Sequence, residues 1–570
     1  MSTQDMSTQK NIQRQQSWWG SGDPWIWLTS SAVTISVIVV FSLLTLIAVR
    51  GLGHFWPSDA FMANYKDDKG NTYRLIGEVH THEKVPADQL DGLGYDKVEG
   101  AFADRYLVKT GNRELVGLDF RWIVAQQLTD VEYPETLMVL ERRKGGNFYG
   151  FLRSIKESGQ VVAEGHERIL PELWPRLERA QTLYLEINRI ERHEIGRVNY
   201  ALEQLRLAHR RLELRQERTG EPITAQELAD LETQREVHDV EFQKLSERLG
   251  QLYQEIDRDS ITAEVMDGQV VEIPLANVVY IHFPNAMGVS EKLSHYFMKL
   301  GWFVSKDPRE ANTEGGVFPA IFGTVMMVFV MSIIVTPFGV IAAVYLREYA
   351  KQGFLTRTIR IAVNNLAGVP SIVYGVFGLG FFVYFLGGTI DQLFYPEALP
   401  APTFGSGGIL WAALTLAILT LPVVIVSTEE GLSRIPSSIR EGSLALGATK
   451  AETLWRTILP MASPAIMTGL ILAIARAAGE VAPLMLVGVV KLAPSLVLDG
   501  NYPFLHLERK FMHLGFHIYD IGFQSPNVEA VRPLVYATSF LLVAVIIILN
   551  IVAIWIRNHL REKYKSLESA

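Results

Sequence analysis

Six apolar stretches, each long enough to cross the roughly 30 Å hydrocarbon core of a bilayer, confine what this chain can fold into. They run Trp27–Val49, Val317–Leu346, Ile361–Leu386, Ile409–Ser427, Ala462–Val490 and Leu534–Ile556. A lipid-embedded backbone must pair its own N–H and C=O groups, so runs of this length predict transmembrane helices. Pro337, Pro370, Pro422 and Pro483 fall inside them, which membrane helices tolerate when neighbours re-satisfy the backbone. The first stretch is too long for a signal-peptide core and lacks a small-x-small site before Arg50, so it reads as an anchor.

An even number of spans puts both termini on one side. The loop after the second span carries Arg347, Lys351, Arg357 and Arg360 against one acid, Glu348, and the tail carries Arg557, Arg561, Lys563 and Lys565. Residues 387–408 hold Asp391 and Glu397 and no base. Lys10 and Arg14 orient the first span only weakly. The excess of bases predicts that both termini face the cytoplasm. The expected order is a cytoplasmic tail (1–26), a first span (27–49), an external, periplasmic region (50–315), a five-span core (316–557) and a cytoplasmic tail (558–570). The net charge of −8 is spread over these compartments, and no basic stripe points to nucleic acid. With no cysteine in the chain, disulfides and thiol chemistry are excluded.

The external region reads as mixed α/β. Alternation predicts strands at Tyr73–Val79, Arg105–Val108, Leu115–Gln126, Thr136–Glu141 and Val161–Glu164, then Ile261–Met266, Val270–Ile273 and Val278–His282. Turns such as Lys69-Gly70-Asn71 and Gly111-Asn112 punctuate them. Between the flanks, about 171–257, lies a helical hairpin with arms Pro171–Arg218 and Thr224–Asp257. Apolar residues recur at coiled-coil spacing (Val198, Leu202, Leu205, Leu212; Leu228, Leu231, Phe242, Leu245, Leu249, Leu252, Ile256). Thr224 and Glu227 form a capping box at the return. The longer arm is roughly 70 Å if straight. Two readings fit it: a spacer or docking arm standing off the β base, and a hairpin folded back along that base.

The polar segment Glu441–Pro460, EGSLALGATKAETLWRTILP, sits between the fourth and fifth spans. Ser438 with Glu441 and Thr449 with Glu452 spell two capping boxes. Gly447 stands at a helix C-cap, and Pro460 closes the second helix. The expected object is helix, glycine turn, helix. The stretch resembles the EAA loop of ABC-importer permeases: Glu441, Gly447, Leu459 and Pro460 match at the family's spacing, whereas Gly442 and Ser443 replace two alanines and Thr457 replaces an isoleucine. The resemblance implies that this loop seats in a groove of a cytoplasmic ATPase and transmits its closure to the membrane helices.

Arg476 lies near the middle of the predicted fifth span, with Glu480 four residues on. An arginine at that depth costs about 2.5–3.5 kcal/mol on insertion scales, so something must use or neutralise it. Its planar fork suits an oxyanion such as phosphate, and Glu480 could accept a hydrogen bond from a protonated phosphate oxygen, which sulfate lacks. The competing reading is an internal ion pair that fixes helix packing. Asn364, Asn365, Ser371 and Tyr374 flank Gly368 and Pro370 and either line a path or stitch helices together. Gly375, Gly378 and Gly380 read as close-packing positions. Glu78, His80 and His82 alternate on a predicted strand, a weak zinc signal outweighed by an exposed polar strand, and no metal site is assigned.

NNLAGVPSIVYGVFGLG and ARAAGEVAPL look like segments of the permeases of the phosphate importer, particularly the A-type subunit (PstA). By that resemblance the chain is a permease subunit of an ATP-driven phosphate importer, in the bacterial inner membrane, not an enzyme. Its substrate path would use Arg476, Glu480, Ser371, Tyr374 and Asn365. Its implied partners are a cytoplasmic ABC ATPase, which uses ATP and Mg, a second permease of similar fold, an external phosphate-binding protein and membrane lipid. No dipeptide Gly-Lys occurs, so no P-loop of the usual form is present and the chain binds no cofactor of its own. Two alternatives remain: a permease for another oxyanion, and a membrane-anchored sensor or scaffold working through its hairpin.

Overall fold

The computed structural model describes residues 22–66, 70–87, 101–351, 353–525 and 528–568; Lys10, Arg14 and Lys69 lie outside them. Among the described residues six helices are long and apolar enough to cross a membrane: Asp23–Gly53 (α1), Phe318–Tyr349, Ser371–Phe394, Ile409–Ser433, Lys450–Gly479 and Ala530–Glu562. The largest departures from the sequence reading are in the third and fifth spans, and the fifth starts at Lys450 rather than Ala462. The third span starts at Ser371, because the missing N–H of Pro370 breaks continuity with the separate amphipathic helix Phe354–Leu366. The fifth ends at Gly479 rather than running on to Val490.

Between α1 and the second span, the described residues form two large antiparallel sheets and a short ribbon pairing Pro308–Arg309 with Glu314–Gly315. Strands β1 (Ala60–Lys66), β2 (Thr72–Pro86), β3 (Phe102–Lys109), β4 (Phe120–Val124) and β5 (Leu128–Glu132) form the first, in the order β4-β3-β2-β1-β5. Strands β6 (Leu137–Arg142), β7 (Phe148–Glu157), β8 (Gln160–Glu164), β9 (Asp259–Glu264), β10 (Val270–Pro274) and β11 (Val278–His282) form the second, β10-β9-β7-β6-β11 with β8 on β7. Phe61, Leu75 and Ile123 of the first sheet share a core with Leu137, Val139 and Tyr149 of the second. The opposite face of the second sheet buries Ile169, Leu173 and Leu177 from the hairpin base. The single strand expected over Leu115–Gln126 is only β4. Arg113–Val116 makes one helical turn, Gly117 takes φ 79, and Ala125–Gln127 is a 3-10 turn. Strands β1, β5 and β7 went unread; β7 is buried on both faces over much of its length, so it lacks a clean alternation.

The hairpin comprises α2 (His166–Arg189), a π-helical stretch Ile190–Ile195, α3 (Gly196–Thr219) and α4 (Ala225–Ile256), with the Thr224–Glu227 capping box formed. It neither stands clear nor lies only along its own base. Arg211 Nε donates to Glu397 Oε1 at 2.6 Å, and Tyr200 Oη donates to the Tyr502 carbonyl at 2.7 Å. The arm therefore rests on loops between the membrane helices.

The α/β domain returns to the membrane through α5 (Val289–Ser305). At this junction Glu141 pairs with Lys299 and, at 3.4 Å, with Arg309. The His282 and His295 rings lie 4.7 Å apart beside them. Burial holds His282 down to about 3 and His295 to about 4; Lys299 adds to the effect and Glu141 opposes it. Both values lie below the ordinary 6.5, so the unfolded chain binds protons that the folded one excludes. Their contribution to stability is complete above 6.5 and is lost as pH falls through that window toward about 3–4. The thermal midpoint of the purified chain should therefore drop between about pH 7 and about pH 5, and His282→Gln with His295→Gln should flatten that slope. An unchanged slope would remove these histidines from the account.

In the membrane core Met327, Met331 and Val335 pack against Trp411, Leu416 and Val424, with Ala473 and Ala477 completing the contact. Small residues set the spacing: a Cβ at Gly339 would meet Val424 Cγ1 at 2.5 Å. Asp391 is fully buried and accepts hydrogen bonds from the backbone N–H groups of Phe404 (2.8 Å) and Gly405 (2.6 Å). Asp391→Ala would leave both donors unpaired. We expect a cost of about 3 kcal/mol, seen as a lower thermal midpoint in detergent.

Candidate functional site

Arg476 sits in the last turn of the helix Lys450–Gly479, which corrects its expected mid-span position. The chain breaks at Glu480, whose backbone is extended (φ −81, ψ 134), and a short helix Ala482–Val487 restarts beyond it. Pro483 in the new first turn has no N–H for the preceding helix, so the break is where the sequence allows it. A Gly-x-x-x-Pro punctuation over 479–483 was the legible signal.

Arg476 Nε lies 3.7 Å from Glu480 Oε1, and the two side chains are 33% and 23% exposed. That is a charge pair too long for a hydrogen bond. No protein acceptor among the described residues takes a hydrogen bond from the guanidinium. A half-open arginine with unfilled donors in a helix break is chemically ready for an oxyanion.

Tyr374 is brought close enough for Arg476 to act on it electrostatically. Its hydroxyl donates to the Leu366 carbonyl at 2.5 Å, clasping the break before Ser371. The approach is set by Gly375, where a Cβ would lie 2.7 Å from Pro483 Cα. Gly378 packs as closely on Thr415, whereas Gly380 meets nothing within 4 Å. Ser371 opens its helix half-buried, and Asn364 and Asn365 are exposed at the end of Phe354–Leu366. The structure thus gathers Arg476, Glu480 and Tyr374 and leaves the asparagines at the rim.

The polar loop is helix Ser437–Ala445, a turn at Gly447 (φ 88) and the start of the fifth span at Lys450. Glycine is required there because a Cβ disfavours that left-handed backbone. The Thr449–Glu452 box is formed, with Glu452 N donating to Thr449 Oγ1 at 3.3 Å. The Ser438–Glu441 box is not: Pro436 occupies the cap, which places Ser438 inside the helix. Pro460 does not close a second helix either, since the helix continues through it. A π-helical stretch at Leu454–Ile458 just before it loosens the hydrogen-bond ladder that proline would break. Glu441 and Gly447 are exposed, while Leu459 and Pro460 are half-buried. Leu446 at the tip is 91% exposed and Trp455 is 70% exposed, an apolar surface on an otherwise polar loop.

A contact unread from sequence anchors this loop. Arg440 Nη2 donates to Glu348 Oε1 (2.9 Å) and to the Leu432 carbonyl (2.8 Å), and Nη1 donates to the Ile435 carbonyl (2.7 Å). Lys450 donates to the Glu348 carbonyl and lies 4.5 Å from the Tyr349 ring centroid. The loop is thereby fastened to the end of the second span. Glu348, the one acid in a basic loop, was the available hint.

The weak metal reading on β2 does not gather. A bulge between Val79 and Thr81 breaks the alternation, and His82 Nε2 turns to Asp104 at 2.7 Å.

A family model described as the binding-protein-dependent transport system inner membrane component matches residues 335–566. Over 194 residues the chain is 38% identical to the phosphate transport system permease protein PstA 1 of Mycobacterium tuberculosis, covering 34% of this chain and 58% of that protein's length. It is 32% identical to the phosphate transport system permease protein PstA of Yersinia pestis, over 45% of this chain and 77% of that one. It is 30% identical to the probable ABC transporter permease protein YqgI of Bacillus subtilis, over 46% and 84%. The inward-facing MetNI methionine ABC transporter is similar at TM-score 0.31 and 18% identity, over 42% of this chain and 94% of that chain. The family model leaves out everything before residue 335. This multi-pass membrane protein therefore belongs to the ABC transporter permeases of the PstA type, carrying an additional α/β region with a helical hairpin.

Proposed function

We propose that the chain is a permease subunit of an ATP-driven phosphate importer, and that Arg476 offers the anion a transient site along the path. The observation that carries this is a guanidinium with unfilled donors at a helix break, in a chain 32% identical to a phosphate permease over 77% of its length. Tyr374 and Glu480 shape the site, and Glu480 favours an oxyanion that still holds a proton. Ser371 and Asn365 lie along the approach. Tight binding would slow release, so the site binds weakly and selectivity rests with an external phosphate-binding protein.

The loop around Glu441, Gly447, Leu459 and Pro460 is the coupling element for a cytoplasmic ABC ATPase, which binds the ATP and Mg. Leu446 and Trp455 supply its apolar contact, and Arg440 passes the movement to the second span. The bases at Arg347, Lys351, Arg357 and Arg360 support placing this end in the cytoplasm, with both termini there. The α/β domain would then be periplasmic and the membrane the inner one. A second permease of similar fold completes the path.

The test is radiolabelled phosphate uptake in cells lacking this gene and complemented with it, with excess sulfate as competitor. Restored uptake that sulfate leaves unchanged is expected. Competition by sulfate would move the cargo to another oxyanion. No restoration by correctly inserted protein would favour a sensor or scaffold acting through the hairpin.

A further inference from the structure

Where α1 and the last helix cross, beside the first sheet, the structure holds a cavity of about 290 Å³. Arg50 of α1, Arg532 and Tyr536 of the last helix, and His80, Glu83 and Trp122 of the sheet line it. The crossing is tight, since a Cβ at Gly51 would sit 2.8 Å from the Ala537 backbone.

Its charge is one-sided. Glu83 is already taken by Arg105, whose Nε donates to it at 2.8 Å. Arg50 and Arg532 are exposed, and neither has a carboxylate at ion-pair distance among the described residues. Arg50 instead lies 5.7 Å from the Tyr536 ring centroid. His80 adds a directional group. It meets the Ala530 backbone, while its Nε2 is buried with no partner. Burial, helped by Lys109, lowers its pKa to about 4, so the ring is neutral and Nε2 is left to exchange a hydrogen bond.

An apolar face of α1 continues from the same arginine, made by Val37, Phe41, Leu46 and Val49. Phe41 is 71% exposed and Val49 66%, because α1 leaves the bundle beyond its crossing. An exposed apolar face of a membrane-spanning helix, ending in a cavity that two arginines share with Tyr536 and Trp122, matches a lipid in order: chain, then phosphate, then headgroup.

We propose that this is a binding site for one anionic phospholipid. Its phosphate lies between Arg50 and Arg532, a headgroup hydroxyl hydrogen-bonds His80 Nε2, and an acyl chain runs along α1. The site joins the additional α/β region to the membrane helices through a lipid, and it is separate from the Arg476 path.

The test is native mass spectrometry of the full chain released from nanodiscs containing phosphatidylglycerol or phosphatidylcholine. Selective retention of phosphatidylglycerol is expected. Arg50→Gln with Arg532→Gln should weaken that retention about 30-fold, from about 1 kcal/mol for each surface arginine, and leave phosphatidylcholine unchanged. Arg50→Lys with Arg532→Lys keeps the charge and should recover most of it, which controls for folding. Equal retention of the two lipids, or full retention by the glutamine pair, would overturn the proposal. So would displacement by excess inorganic phosphate, which would make this a site for the free anion.

Discussion

Arg476→Gln is expected to reduce phosphate uptake at least about tenfold without lowering the amount of protein in the membrane. One charge-assisted hydrogen bond is worth about 1.5–3 kcal/mol, or roughly one to two decades in rate or affinity. Arg476 is free to make that bond, because its own carboxylate neighbour stands 3.7 Å away. Arg476→Lys should fall between the two, since an ammonium keeps the charge and loses the planar fork. Glu480→Gln should lower uptake less than Arg476→Gln does and leave sulfate excluded, because the proposed external binding protein sets the selectivity. A purely packing role predicts the reverse order. Stability would then fall in step with uptake, and lysine would serve as well as arginine.

The second large effect is expected at Arg440. Arg440→Ala removes the pair with Glu348 and two bonds that hold the Leu432 and Ile435 carbonyls. The Glu348 side chain, 12% exposed, is left without its partner. Breaking a buried pair from one side costs about 3–5 kcal/mol, and this half-buried one less. On the proposed coupling role the consequence is mechanical: the loop would still meet the ATPase through Leu446 and Trp455 but no longer pull the second span. In the assembled transporter, phosphate moved per ATP hydrolysed should drop several-fold while hydrolysis itself persists. Equal losses of hydrolysis and transport would show that the pair only supports the loop's fold.

What was legible in the sequence follows from the range of each signal. Long apolar runs placed the six spans, and local punctuation placed the Gly447 turn and the Thr449 cap. The same punctuation was misread where two rules compete. Pro436 took the cap that Ser438 was expected to hold, and Pro460 was absorbed by a π-helical stretch at Leu454–Ile458. The break at Glu480 was hidden by an apolar run that continues across it, so Arg476 looked deeper in its span than it lies. Arg476 and Glu480 could be paired from their spacing. Arg440 and Glu348 could not, because 92 residues separate them. Heptad spacing is a local signal and could not show the hairpin's seat on Glu397 and Tyr502, which depends on loops 186 and 302 residues away.

The decisive experiment uses proteoliposomes containing this chain with the proposed partner permease, ATPase and binding protein. ATP-dependent accumulation of radiolabelled phosphate is measured for wild type and for Arg476→Gln. Accumulation by the wild type, unaffected by excess sulfate, is expected, together with its loss in the variant while ATP hydrolysis continues. Equal accumulation by both proteins would contradict the role of Arg476, and no accumulation by an intact, ATP-hydrolysing complex would contradict phosphate as the cargo.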